Sequence, residues 1–300
     1  MISVAEPELG DEELTNVIEA VNSGWVSSKG RFIPEFENNF SKYIGVKHGI
    51  AVSNGTAALH LALVASGIGP KDEVIVPDLT FAATINAVLY TGARPVIVDV
   101  NPDYWCIDPE EIEQAITPKT KAIIPVHLYG HSCDMTPILE IAEKRSLCII
   151  EDAAEAIGAE YKNKKVGSFG LTSCFSFYGN KVITTGEGGM CLTDDDELVN
   201  KMRILRDHGM NPDKKYWHDV VGFNYRMTNL QAAIGVAQIR KIGRFLEKKR
   251  NIAKLYAETL SGLDGVTLHP QMPWAKCAYW LYSIIIKEKI IARNNLIQKL

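Results

Sequence analysis

Short runs rich in valine and isoleucine recur along this chain, at residues 72–76, 95–100, 121–126 and 147–151, with segments of helical period between them. A strand that is apolar on both faces needs cover on both, and helices between successive strands supply it. The rhythm therefore predicts an α/β fold: βα units and a mostly parallel sheet with helices on either side. Three hundred residues, 46% of them hydrophobic, are enough for one large domain and a smaller piece. Helical patterning stands out at 110–116 and 136–144, where Asp108-Pro109 and Thr136-Pro137 read as cap and first turn. A long helix is expected from about Asn229 to Leu260, leading out of the large domain. The expected division is a large domain over 1–245 and the start of a second over 246–300. Strands at 265–270 and 279–286 would belong to the second, and the run 292–300 is helix-like.

Composition removes several classes. The net charge of −4 is spread along the chain with no basic block, which argues against a nucleic-acid partner. The longest apolar stretches, such as 50–64, are broken by polar residues, and the N-terminus lacks the basic and apolar regions of a leader. The six cysteines show no CxxC pair; Cys148, Cys174 and Cys191 lie in strand-like runs and read as buried reduced thiols. A cytoplasmic protein is the natural reading. No histidine spacing makes a metal site: His127 and His131 stand at i and i+4, but nothing helical supports them as ligands. Gly186-Glu-Gly-Gly189 precedes a strand rather than a helix, so it is no dinucleotide fingerprint.

The densest chemistry is in Ser176-Phe-Tyr-Gly-Asn-Lys181, followed by Val-Ile-Thr-Thr-Gly. Most lysines are solvated surface groups. This one follows an apolar strand and has small or apolar flanks, and a lysine desolvated at a strand exit can form a Schiff base. Leu147-Cys-Ile-Ile-Glu-Asp152 ends another buried strand with a carboxylate. Asp152 could cap a helix over the following Ala-Ala-Glu-Ala-Ile157. It also sits where open α/β sheets bind ligands, and a carboxylate there would keep a pyridine nitrogen protonated. Glu155 would lie on the same side of the chain. Ser53-Asn-Gly55-Thr56 is a turn opening a buried helix, either a plain N-cap or a phosphate site. Phe81, in an apolar segment, reads by itself as core. Trp25 and His208 are candidate substrate contacts, although a histidine in a charged loop is commonly just solvated.

Taken in order, several segments resemble one family. They are Val52-Ser-Asn-Gly-Thr-Ala-Ala-Leu-His-Leu-Ala-Leu63, Asp72-Glu-Val-Ile-Val-Pro77, Phe81-Ala-Ala-Thr-Ile-Asn-Ala87, Glu151-Asp-Ala-Ala-Glu-Ala156 and Ser176-Phe-Tyr-Gly-Asn-Lys181. Gly186-Glu-Gly-Gly189, Arg206-Asp-His-Gly209 and Asn224-Tyr-Arg-Met-Thr-Asn-Leu-Gln-Ala-Ala233 extend the likeness. The chain resembles the DegT-type sugar-nucleotide aminotransferases, among the fold-type I pyridoxal phosphate enzymes. The resemblance implies a three-layer large domain, a smaller C-terminal α+β domain, and pyridoxal 5'-phosphate as cofactor. It makes Lys181 the lysine that bonds the cofactor and shuttles the proton. Gly55, Thr56 and Ser176 would hold the phosphate, Phe81 would stack on the ring, Asp152 would meet its nitrogen, and Glu155 would face its phenolic oxygen or the substrate. Asn224 would reach the phosphate from a partner subunit, so the resemblance implies a homodimer or dimer of dimers. Members of that family run several dozen residues further, so the chain is expected to be truncated or a fragment of a longer reading frame.

Glutamate would be the amino donor. Tyr178-Gly-Asn-Lys181 and Cys277-Ala-Tyr-Trp-Leu-Tyr282 look most like the perosamine-forming branch, which aminates C4 of GDP-4-keto-6-deoxymannose. UDP- or dTDP-linked keto-sugars are the alternatives. A related sugar 3-dehydratase carries histidine where this chain has Lys181, which argues against that reading. A non-catalytic regulatory relative is a third possibility.

Overall fold

The computed structural model describes residues 4–287 and 292–299; residues 1–3, part of the N-terminus read above for a leader, and residue 300 of the helix-like run lie outside them. A seven-stranded sheet organises the chain. Its strands are β1 (His48–Val52), β2 (Glu73–Pro77), β3 (Arg94–Val98), β4 (Thr120–Ile123), β5 (Cys148–Asp152), β8 (Thr172–Ser176) and β9 (Gly189–Thr193). The short β6 (Glu160–Tyr161) and β7 (Lys164–Lys165) form a small sheet with β11 (Ala275–Lys276). The strand order in the large sheet is β1-β9-β8-β5-β4-β2-β3. Strands β8, β5, β4, β2 and β3 run parallel, while β9 is antiparallel to both of its neighbours. The sheet is therefore mostly parallel, as expected, and six strands finish on one edge.

Helices cover both faces. Along β5, Ile150 packs with α3 (Gly55–Ala65), α4 (Ala82–Tyr90) and α7 (Asp196–Arg206), while Ile149 packs on the other face with α5 (Pro109–Ala115) and α6 (Met135–Arg145). On that second face α2 (Phe32–Ile44) and α8 (Asn229–Leu260) close over Phe175 and Phe177, with α1 (Asp11–Asn22) against α8. Phe40 meets both aromatic rings edge-on at 4.9 and 5.1 Å between centroids. The period of two along β8 thus sends Phe175 into this core and Ser176 toward α3.

The long helix begins with a capping box, in which Gln231 accepts from the Thr228 N–H at 2.9 Å. It crosses the expected 245/246 boundary without a break; beyond Leu246 only Ala253 is buried on it. Three local expectations are corrected. Helix α6 starts at Met135, not after Thr136, because the Tyr161 hydroxyl draws both Asp134 and Thr136 into its hydrogen bonds. Pro137 is harmless there, since N–H groups of a first turn have no helical acceptor. The strands expected at 265–270 and 279–286 shrink to a two-residue pair, β10 (Val266–Thr267) with β12 (Ile285–Ile286). Cys148 is half-buried, while the other five thiols are buried and all six are unpaired. The C-terminal helix-like run contains α9 (Arg293–Ile297).

Candidate active site

Strand ends β1, β2, β5 and β8 meet at a cavity of about 610 Å³, and the segments leaving them supply its wall. Gly55, Thr56, Phe81, Asp152, Glu155, Ser176 and Lys181 all line it. Three other expected residues do not. Trp25 lines a separate depression beside Arg31 and Asn229. Asn224 and His208 are gathered on the outside by Arg226, which donates to Asn224 Oδ1 at 3.0 Å and lies 3.1 Å from His208 Nε2.

Lys181 owes its place to the loop between β8 and β9. Phe177 and Gly188 close the loop's neck through a backbone bond of 2.9 Å, and Val182 and Ile183 anchor it in the core. Lys181 turns instead toward the cavity, where its ammonium lies 3.6 Å from the centre of the Trp280 ring. The indole N–H donates to the Asn180 carbonyl at 2.9 Å, so the aromatic wall is fixed to the lysine's own loop. Trp280 can come so near because the backbone passes against Gly130: a Cβ there would sit 2.8 Å from the Trp280 nitrogen.

Asp152 ends β5 and faces the cavity; Glu151, one residue earlier, points to the opposite side. The alternative, a helix capped by Asp152, is not met. Residues 153–157 form turns, and Asp152 Oδ1 accepts from the Ala154 N–H at 3.1 Å. Its Oδ2 accepts from the Thr84 hydroxyl at 2.7 Å. Glu151 Oε1 accepts from the N–H groups of Phe169 (2.7 Å) and Gly170 (2.8 Å). Its Oε2 accepts from Gly167 N–H (2.7 Å) and His127 Nε2–H (3.1 Å). Since His127 Nδ1 accepts from Cys133 N–H at 3.0 Å, the imidazole is the neutral Nε2–H tautomer. His131 is turned away, to Ser132 and Met272, so the two histidines do not converge. Among the described residues no cluster is suited to a metal ion.

Burial governs the charges. It pushes the pKa of Lys181 down against the attraction of Glu155 and Asp152, and pushes that of Asp152 up against its hydrogen bonds. It also raises Glu155 to about 7, opposed by Lys181 and by the Tyr129 N–H, 2.9 Å from Oε2. Burial thus disfavours the charged form of all three groups, while their mutual attraction favours it.

The helix α3 points its start at the same cavity. Asn54 caps it by accepting the Ala57 N–H at 2.8 Å, which leaves the N–H groups of Gly55 and Thr56 for a ligand. Ser176 stands against this helix start: a Cβ on Gly55 would fall 2.9 Å from the serine's own. Across the opening, Phe81 is 72% exposed, too open to be core. A helix start with a hydroxyl, a free aromatic face, a buried carboxylate and a desolvated lysine fit the phosphate, ring, ring nitrogen and aldehyde of pyridoxal phosphate. Thr84 and Trp280 were within the quoted motifs but carried no signal of their own, because their partners come from distant segments.

Comparison with known proteins agrees with this geometry. Residues 7–300 match the DegT/DnrJ/EryC1/StrS aminotransferase family. A GDP-perosamine synthase of Caulobacter vibrioides is 52% identical over 299 residues, covering 99% of this chain and 81% of that protein. DesV of S. venezuelae, solved with a ketimine intermediate, superposes with a TM-score of 0.91 at 36% identity, over 96% of this chain and 77% of DesV. A sugar aminotransferase fold from Streptococcus pneumoniae, in its pyridoxal phosphate form, gives 0.94 at 30% identity, over 100% and 82%. The chain belongs to the DegT/DnrJ/EryC1/StrS aminotransferase family and is a pyridoxal 5'-phosphate-dependent enzyme.

Proposed function

We propose that this aminotransferase carries an amino group from glutamate to C4 of GDP-4-keto-6-deoxymannose, giving perosamine on its nucleotide carrier. The observation that supports the reaction type most directly is Lys181, desolvated on the cavity wall within the field of Asp152 and Glu155. The sugar is suggested by the 52% identity to a GDP-perosamine synthase.

Bound pyridoxal phosphate supplies an electron sink for the carbon that gains or loses the amino nitrogen. The chain's residues do the rest. Lys181, whose pKa is lowered by burial, gives up its proton more readily than a solvated lysine; it would bond the cofactor and then take or return a proton at that carbon. Asp152 would accept the hydrogen bond of the protonated ring nitrogen, and an ionised carboxylate there would keep the sink effective. Glu155, half-ionised near neutrality, can hold a proton beside Lys181. Phe81 would offer its exposed face to the ring, while Gly55, Thr56 and Ser176 would hold the phosphate. We assign Asn224, and with it His208 and Trp25, to the site of a second copy, which makes the active form a homodimer. The proposed location is the cytoplasm, where sugar nucleotides are made; among the described residues no helix is long and apolar enough to cross a membrane.

The test is turnover of GDP-4-keto-6-deoxymannose with glutamate, beside its UDP- and dTDP-linked counterparts. Lys181→Ala should lose several orders of magnitude in rate. Borohydride should fix the cofactor to Lys181 in the parent protein only. Near-normal turnover by Lys181→Ala would remove the central assignment, and preference for a UDP- or dTDP-sugar would replace the acceptor.

A further inference from the structure

We infer that Thr84 is a positioning residue for Asp152, the inner link of a one-way hydroxyl chain that starts at Thr80 on the cavity wall. The inference rests on the proposed meeting of Asp152 with the cofactor's ring nitrogen.

Thr84 is fully buried in the first turn of α4. A threonine in a helix commonly turns its hydroxyl back to the carbonyl four residues earlier. Here it leaves its own helix and donates to Asp152 Oδ2 at 2.7 Å, across 68 residues of sequence. Thr80 Oγ1 lies 2.8 Å from Thr84 Oγ1. Thr84 gives its one proton to the ionised carboxylate, so Thr80 is the donor to Thr84; the other contact of the Thr80 hydroxyl, to the Phe81 carbonyl oxygen, is longer at 3.4 Å. The order is Thr80 to Thr84 to Asp152, and its outer member lines the cavity.

Among the described residues Thr84 is the one side chain that hydrogen-bonds this carboxylate; its other oxygen has the Ala154 N–H. The charged and titratable groups around Asp152 act at longer range. Lys181 and Glu155 face it across the cavity. Glu151 and Cys133 lie behind the strand, and His127 gives its ring to Glu151. Two bonds hold the carboxylate plane: the Ala154 N–H can only donate, and the Thr84 hydroxyl, which accepts from Thr80 on its other side, is set to donate. Both therefore favour the ionised acid that a protonated ring nitrogen needs.

The experiment compares Thr84→Val, Thr84→Ser and Asp152→Asn. Cofactor affinity is read by titrating the cofactor-free protein with pyridoxal phosphate, and the half-reaction by single turnover with glutamate. Thr84→Val keeps the shape and removes one charge-assisted bond. It should slow the half-reaction by about 10- to 100-fold and weaken cofactor binding in the same sense. Thr84→Ser should stay within about 3-fold of the parent, because the donor is restored. Thr80→Val should show the same sign at smaller size. If Asp152→Asn collapses the half-reaction while Thr84→Val leaves rate and affinity unchanged, the inference is wrong and the role of Asp152 stands. Equal loss in the valine and serine variants would reduce Thr84 to packing and overturn it too. If Asp152→Asn itself changes nothing, the underlying reading of the site fails first.

Discussion

Replacing Glu151 by glutamine tests whether the last two residues of β5 have separate duties. Glu151 is fully buried and accepts from four donors, two on each carboxylate oxygen. Burial alone would raise its pKa, but the bonds from His127, Gly170 and Gly167 hold it below the ordinary value. An amide has one oxygen. Whichever way it turns, its NH2 group faces two donors that it cannot satisfy. Two charge-assisted bonds are lost, each worth about 1.5–3 kcal/mol, so the loss is roughly 3–6 kcal/mol. Native proteins hold only about 5–15 kcal/mol in all. Urea unfolding at pH 7 should therefore show a midpoint lowered by about 1 M or more. The sign with pH follows from the depressed folded pKa. The contribution is whole above the unfolded value near 4.5 and is lost as pH falls through the folded one, so parent and variant should converge in acid. A Glu151→Gln protein within about 1 kcal/mol of the parent at pH 7 would refute the accounting of donors.

Other outcomes follow from the cavity itself. Glu155, raised to about 7, binds a proton in the folded state that it has released when unfolded, so it withdraws stability as pH climbs from about 4.5 to 7. Glu155→Gln keeps an acceptor for the Tyr129 N–H. It should gain on the parent by on the order of 2–3 kcal/mol over that window; parallel stability–pH curves would contradict this. Gly55→Ala should force Ser176 and the α3 start apart, lowering pyridoxal phosphate affinity by about 10-fold with under about 2 kcal/mol of global loss. An unchanged titration would show that the close approach has no part in binding. Mixing Lys181→Ala with Asn224→Ala subunits should restore activity, because each mixed dimer rebuilds one site with both residues intact. Subunits that exchange without complementing would rule out a shared site.

The strands β2, β4 and β5 were legible because both of their faces are buried, which leaves a continuous apolar run that needs no knowledge of neighbours. The long helix was legible because its period persists and Thr228 and Gln231 mark its start. What the sequence hid was non-local. Nothing near Gly189–Thr193 says that this strand runs antiparallel between β1 and β8. The start of α6 moved because Tyr161, from another element, competes for Asp134 and Thr136. Asp152 and Gly55 could be placed at the cavity from a strand end and a helix start, and Ser176 through the resemblance. Thr84 and Trp280 could not, since each acquires its partner only when distant segments meet. His208 and Trp25 lie off the cavity of their own chain, which their local sequence did not signal, whereas the resemblance already sent Asn224 to a partner's site.

The antiparallel strand also has a consequence for the order of synthesis. β1 is made first, yet among the described residues its one neighbour in the sheet is β9, made more than a hundred residues later. Until then β1 has no strand to join, and a bare edge of this kind is prone to wrong pairing. Closing so long a loop is slow, so this step is a natural barrier for the growing chain. The same closure seats Gly189 against Asn54 and the start of α3 against Ser176. A nascent chain therefore has no finished pocket until β9 has left the ribosome. Cofactor added during translation would capture the completed sheet alone and pull assembly forward by mass action.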